Sequence, residues 1–423
     1  MLMDIEKVFK GRMFVDGELR YTEVGVTDGK IVAVGNLVRG GDEVVELGTS
    51  QMLLPAFTDP HVHLRDPGMT SKEDFYTGTL AAIHAGVTCV LDMPNTKPPV
   101  TDVHTLMEKK SAVRGKACVD YGLFAAVTPN INAGMLAPLV PGFKLFMGST
   151  TGNILLNDDE ELIPAVRDVL ATGKRMSVHA EDDSMILHEP ERSTRDHLRN
   201  RPAEAELNAV SRLSKHFSGT KINICHVSSV PALEAAAEAG FTTESTLHHI
   251  MFDVDRFPSS YYKTNPPIRD SLTRKELYKK FIGGAFTMIG TDHAPHTAED
   301  KEQEFDAAPG GIPGVETTMP IVMEMVRNGT VPLQTVMSMA SLNPNKAFGI
   351  SKGKIAPGYD ADFAIFDMRR TSVIDVKKLH SKCGHSPYSG WQAVFPETVL
   401  VRGETQISDG EFCGETMGVD ICG

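Results

Sequence analysis

His61 and His63 stand two residues apart just beyond the apolar run MLLPAFTD (52–59). In an extended segment side chains i and i+2 point the same way, so both imidazoles face one side. A single histidine is ordinary packing, whereas two on one face at a strand end form a metal-ligand pattern. His179 in RMSVHAE (175–181), His226 in KINICHVS (221–228) and Asp292 in FTMIGTDHA (286–294) occupy equivalent strand-end positions. Imidazole and carboxylate donors suit zinc first, with iron, cobalt or manganese as alternatives. A hydrolytic zinc keeps three protein ligands and an open position, so four histidines and an aspartate are too many for one ion and match two divalent ions. Lys144 lies in the apolar segment FKLFM (143–147). Its stem could simply be buried with the amine reaching water. Alternatively, desolvation favours the neutral amine, which adds carbon dioxide to give a carbamate anion able to bridge two metals.

These residues need a frame that brings distant strand ends together. CVLDMPN (89–95), VDYGLFAAV (119–127), FKLFM and FTTESTL (241–247) complete a set of eight apolar runs. Helical stretches lie between most of them, at 71–86, 158–173, 202–218, 230–239 and 271–282, the first with a capping box of Thr70 and Glu73. Apolar runs that are continuous rather than alternating predict parallel strands buried on both faces, with the site at their C-terminal ends. The first fifty and last seventy residues instead alternate apolar and polar around Asp-Gly and other Gly turns. The expected fold class is α/β: a (β/α)8 TIM-like barrel over 53–350, with a small β-sandwich domain formed from both chain ends, 1–52 and 351–423. An open doubly wound sheet would need a Gly-rich phosphate loop after the first strand, and the sequence has none there.

Composition narrows the partners. A net charge of −13 leaves no basic stripe for nucleic acid, and an anionic substrate needs a local cluster of positive charge. Six cysteines, none in a Cys-x-x-Cys pair, read as reduced thiols of a cytoplasmic protein. The start, MLMDIEKVFKGRMF, lacks the apolar core of a signal peptide, and no apolar run is long enough to span a membrane.

An ordered set of segments carries a resemblance through nearly the whole chain. It comprises Asp59-Pro-His-Val-His-Leu-Arg-Asp-Pro-Gly68, Asp92-Met-Pro-Asn-Thr96, Lys144-Leu-Phe, Val178-His-Ala-Glu181, Cys225-His-Val227, Asn265-Pro-Pro-Ile-Arg269 and Thr291-Asp-His-Ala-Pro-His296. In these the chain resembles the dihydroorotase family of the amidohydrolase superfamily. The resemblance implies reversible cyclisation of N-carbamoyl-L-aspartate to L-dihydroorotate plus water, in de novo pyrimidine (UMP) biosynthesis. It implies a two-metal bridging-hydroxide mechanism with Asp292 as general acid and base. By the same resemblance His61, His63 and Asp292 hold one metal, His179 and His226 the second, and carboxylated Lys144 bridges them. Arg65, Asn95 and His296 grip the ring carboxylate, Asn265 meets the ring amide, and Gly310 to Gly314 line the pocket. Guanidinium suits that carboxylate through paired charge-assisted hydrogen bonds; an ion pair of Arg65 with Asp66 or Glu73 is the alternative. Thr150 and Thr151, in a loop of small residues, are lid candidates.

Glu244 is a weaker candidate for a further metal, and His248 and His249 read as structural. The remaining histidines carry no assigned role. Expected partners are a small-molecule substrate, a further copy of the chain, and aspartate transcarbamoylase. Rival readings are a related cyclic amidase (allantoinase, hydantoinase or dihydropyrimidinase), whose substrates lack the carboxylate, or a non-catalytic scaffold for aspartate transcarbamoylase.

Overall fold

A computed structural model of the chain describes residues 5–150, 152 and 154–423. It begins with β1 (Lys7–Val15), β2 (Glu18–Thr27), β3 (Lys30–Gly35), β4 (Glu43–Glu46) and β5 (Gln51–Pro55). The Asp-Gly pairs Asp16-Gly17 and Asp28-Gly29 all take positive φ (53°, 89°, 49° and 71°), as the turns of tight hairpins require.

The chain then enters the barrel. β6 (Phe57–Val62), β7 (Val87–Asp92) and β8 (Asp120–Leu123) pair in parallel. β9 (Ala125–Ala126), β10 (Gly142–Phe146), β11 (Arg175–His179), β12 (Ile222–Ile224), β13 (Thr242–Ser245) and β14 (Met288–Ile289) form a second parallel series. Only Phe124 separates β8 from β9, so the two act as one staff of the barrel. A parallel bridge between Val62 and His293 brings the end of the last staff back to the first. The result is an eight-staff α/β barrel, as the apolar runs lead one to expect.

β15 (Phe363–Asp367) returns to the terminal sheet, and β16 (Ser372–Val373) pairs with β17 (Gln392–Ala393) in a separate ribbon. β18 (Thr398–Val401), β19 (Glu404–Ser408) and β20 (Glu411–Phe412) finish the sheet, whose order is β20-β19-β18-β15-β5-β1-β2-β3 with β4 beside β1. The strand period of two explains how it attaches to the barrel. Met52, Leu54, Ala364 and Phe366 point into the large barrel core. Their neighbours Leu53, Phe363 and Ile365 point into a second core with Phe9, Met13, Val24 and Leu400. Among the described residues no helix is long and apolar enough to cross a membrane.

Two local expectations are corrected. The run 52–59 is not one strand: it breaks at Ala56, whose N–H donates to Asp362 O, and passes from β5 to β6. Both pieces touch the barrel core, so apolar character continues across the break and periodicity does not reveal it. The helix after β6 begins at Phe75, with Asp74 as its cap and Thr77 completing the box. Glu73 instead accepts from the hydroxyls of Thr77 and Ser381, so the Thr70–Glu73 box does not form.

Candidate active site

The C-terminal ends of the barrel strands open into one cavity. His61, His63, Arg65, Asn95, Lys144, Thr150, His179, His226, Asn265 and Asp292 all line it, with Phe146, Ala294, Gly310 and Gly311. Strand ends supply His61, His63, Lys144, His179, His226 and Asp292, and loops supply Asn265, Gly310 and Gly311. Asp59 ties the first staff to the last: its carboxylate accepts from the backbone N–H groups of His61 and Thr291 and from the Thr291 hydroxyl. Burial raises Asp59 to about 6 against the pull of those bonds. Arg65, His226 and Asp292 sit at φ 62°, 37° and 46°. Such backbone costs a non-glycine residue about 1 kcal/mol or more and persists where surrounding bonds overdetermine it, as functional sites commonly do.

The hydrogen bonds fix how the imidazoles present themselves. His63 Nδ1–H donates to Asn95 Oδ1 at 2.7 Å, and His61 Nδ1–H donates to Glu244 Oε2 at 2.9 Å. His179 Nε2–H donates to Glu181 Oε2 at 2.9 Å. His63 and His179 therefore keep a lone pair on the other nitrogen, turned toward the neighbouring donors. Although burial opposes it, the acidic groups around His61, Glu244 and Asp292 among them, raise that ring to about 10, so its Nε2 offers a lone pair once a metal cation takes the place of its proton. His63 Nε2 lies 3.1 Å and His61 Nε2 3.5 Å from Asp292 Oδ1. His179 Nδ1 faces His226 Nε2 at 3.2 Å, and His226 Nδ1, buried, has no hydrogen-bond partner. Burial lowers His63 to about 3 and also lowers His179 and His226, so these rings are neutral at pH 7. Burial alone would raise Asp292, but the charge of His61 and the bond from His63 hold it well below the carboxylate range.

This donor set fits divalent metal. Neutral imidazoles with one nitrogen tied to an acceptor are how metal-binding histidines are oriented. Converging lone pairs repel unless a cation lies between them. His61, His63 and Asp292 form one group whose ligand atoms are mutually close enough to share an ion. His61, Cys225 and Glu244 form another, although both Glu244 oxygens already accept, from His61 and from Asn223.

Lys144 is fully buried, with Nζ 3.4 Å from His61 Nε2 and 3.1 Å from Cys225 Sγ. Other buried lysines have anionic or carbonyl partners: Lys109 meets Asp92, Lys352 meets Asp120 and Asp362, and Lys301 donates to two carbonyls. Among the described residues no carboxylate lies within 4.0 Å of the Lys144 amine.

On the opposite rim Arg65 donates through Nε to Pro295 O, and its Nη2 lies 3.2 Å from His296 Nε2. Asp66 pairs with Lys116 instead, and among the described residues no carboxylate comes within 4.0 Å of the Arg65 guanidinium. His296 does not itself line the cavity, but it touches Arg65 and Gly310, which do. Asn265, on the cavity wall, uses its side-chain oxygen to accept from His197 Nε2 at 2.9 Å. Thr150 is on the cavity wall; Thr151 lies outside the described residues.

Sequence reasoning passed over three groups here. Glu181 anchors His179 and is itself clamped by Arg201 at 2.7 Å, Asp59 joins the first and last staves, and His197 holds Asn265. Glu181 and Asp59 lie within segments that carry the resemblance, and that was their only signal. His197 had none. A third donor cluster, His84, Glu316 and His380, lies apart from the cavity. Its two rings stack at 3.7 Å with an 18° tilt, and lone pairs of near-parallel rings do not converge on one ion.

Glu181→Gln is expected to leave the fold intact and to weaken divalent-metal binding about 10- to 100-fold, the usual worth of a residue that orients a ligand. Zinc titration against a competing chelator measures this, and an unchanged affinity would show that His179 needs no such anchor.

The chain is similar to known proteins along nearly its whole length. Residues 52–253 and 274–405 match the Amidohydrolase family. The dihydroorotase of Thermoplasma acidophilum is 36% identical over 99% of this chain and 99% of its own length. That of Methanosarcina acetivorans is 36% identical over 93% of this chain and 90% of its own. Among solved structures, L-hydantoinase (dihydropyrimidinase) from Arthrobacter aurescens superposes with a TM-score of 0.91 at 24% identity, covering 98% of this chain and 99% of that one, a likeness of fold. Dihydropyrimidinase from Brevibacillus agri gives a TM-score of 0.89 at 27% identity, covering 98% of both chains.

Proposed function

Because this chain belongs to the Amidohydrolase family, we propose that its cavity performs the dihydroorotase reaction, interconverting L-dihydroorotate plus water and N-carbamoyl-L-aspartate. The chain is a hydrolase acting on a cyclic amide, and the full-length dihydroorotase relatives support this substrate over other cyclic amides. The structural observation that carries the choice is Arg65. The residue is 2% exposed, lines the same cavity as the imidazole cluster and has no protein carboxylate within 4.0 Å of its guanidinium among the described residues. Burial lowers it to about 10, still cationic at neutral pH. A buried cation without an anion is costly, and a substrate carboxylate supplies one.

Arg65, Asn95 and His296 are assigned to that carboxylate, and Asn265 with Gly310 and Gly311 to the ring amide. His61, His63 and Asp292 would hold one divalent ion, His179 and His226 a second, with a carbamate of Lys144 between them; zinc suits this set best. Such ions, when bound, acidify water and polarise an amide carbonyl. The chain's own contribution is orientation and proton transfer. The ring is held by its carboxylate at one end, which turns its scissile carbonyl toward the imidazoles. Asp292, ionised at neutral pH, is placed to take the proton of the attacking water and deliver it to the departing ring nitrogen. Cyclisation runs the same transfers in reverse. This reaction belongs to pyrimidine formation, and the acidic chain is assigned to the cytoplasm.

A substrate panel tests the reading. The purified, metal-loaded protein is expected to turn over L-dihydroorotate and N-carbamoyl-L-aspartate and to leave dihydrouracil and allantoin essentially untouched. Turnover of either neutral ring with none of dihydroorotate would assign the chain to the hydantoinase-like amidases instead.

A further inference from the structure

Beside the carboxylate end of the cavity lies a lysine to which neither the motifs nor the mechanism gives a role. Lys72 is about three-quarters buried, with its side chain 23% exposed, and its Nζ lies 3.0 Å from His296 Nδ1. An ammonium has donors and no acceptor, so His296 must present a lone pair at Nδ1. The single proton of the neutral ring then sits on Nε2. That N–H reaches Gly310 O at 3.1 Å. It also lies 3.2 Å from Arg65 Nη2, which is itself donor-only. Two donors that close cannot bond each other; Arg65 and Gly310 line the cavity, and His296 stands directly against both of them. An anion shared between them gives Arg65 Nη2 an acceptor and the His296 N–H a second one beside Gly310 O.

We propose that Lys72 is a positioning residue for the carboxylate subsite: by donating to His296 Nδ1 it locks His296 as an Nε2–H donor, which completes with Arg65 a two-donor cradle for the substrate's carboxylate. The inference rests on the dihydroorotase reading. Lys72 also pairs with Asp300 at 3.0 Å, so its positive charge is largely balanced and its donor to His296 is what matters. Asp300 itself stays 3.9 Å from His296 Nδ1, too far to compete for the ring. Burial, followed by the charges of Arg65, Lys72 and Lys301, keeps His296 neutral, as one locked tautomer requires. Lys301 holds the neighbouring wall by donating to Pro309 O and Gly311 O.

The test is steady-state hydrolysis of L-dihydroorotate by the metal-loaded wild type, Lys72→Met and Lys72→Arg. Lys72→Met is expected to raise KM about tenfold, the worth of one charge-assisted hydrogen bond, with kcat within about twofold of wild type. Lys72→Arg keeps a donor-only cation and is expected to restore KM to within about threefold. An unchanged KM in the Met variant would overturn the proposal. So would an equal rise in both variants, which would make the effect one of shape. A joint collapse of kcat and KM in both would make Lys72 merely structural. A wild type that hydrolyses neutral rings and not dihydroorotate would instead overturn the substrate reading, and it is recognised before any variant is compared.

Discussion

Asp292→Ala is expected to lower kcat for dihydroorotate hydrolysis at least about a thousandfold, because one side chain serves two needs. Its Oδ1 faces both His63 Nε2 and His61 Nε2, so its removal takes the only carboxylate from that donor group. It is also the ionised group placed to carry the proton between water and the leaving nitrogen. Loss of a general base alone costs about 10²- to 10⁴-fold, and a weakened metal adds to that. The measurement is kcat at saturating substrate with zinc in excess. Activity within tenfold of wild type would remove Asp292 from both roles. Asp292→Asn separates them: it keeps a neutral oxygen donor but cannot accept the proton, and it is expected to retain more metal than the alanine variant while remaining inactive.

The second large effect concerns Lys144. Lys144→Ala is expected to reduce bound zinc from about two ions per chain to one or fewer and to abolish turnover, because no described carboxylate lies within 4.0 Å of the Lys144 amine to take the place of its carbamate. Short carboxylic acids, which mimic a carbamate head, are expected to restore a part of both. Metal analysis with activity in the presence and absence of acetate or propionate reads the result. Intact-mass measurement of the wild type under carbon dioxide adds an independent check, an increment of one carbon dioxide per chain. Two zinc ions per chain in the alanine variant, with full activity, would reduce Lys144 to packing beside Phe146 and Cys225.

The part of this site legible in the sequence was the part that strand geometry projects directly. His61 and His63 point together because a strand has period two, and His179, His226 and Asp292 follow apolar runs that had to be barrel staves. The rest depends on contacts between distant segments. Glu244 was visible at a strand end, but its bond to His61 spans 183 residues, and only the fold shows it orienting that ring. Glu181 looked like one more acid in a motif until Arg201 and His179 closed on it. The Thr70–Glu73 box failed for a related reason: local spacing allowed it, but Glu73 is claimed by Ser381, more than three hundred residues later. The break at Ala56 was hidden because two different sheets ask for the same apolar character.

The pairing of β5 with β15 also has a consequence for synthesis. One edge of Gln51–Pro55 meets β1, but the other finds its partner at Phe363–Asp367, so the seam between the two chain ends joins segments made at opposite times. As the chain leaves the ribosome, the edge of β5 stays open while the whole barrel emerges. Each barrel staff, by contrast, meets a neighbour made only tens of residues before or after it, apart from the closing contact between Val62 and His293. The order of manufacture therefore runs from hairpins to barrel to seam, with the open edge protected last.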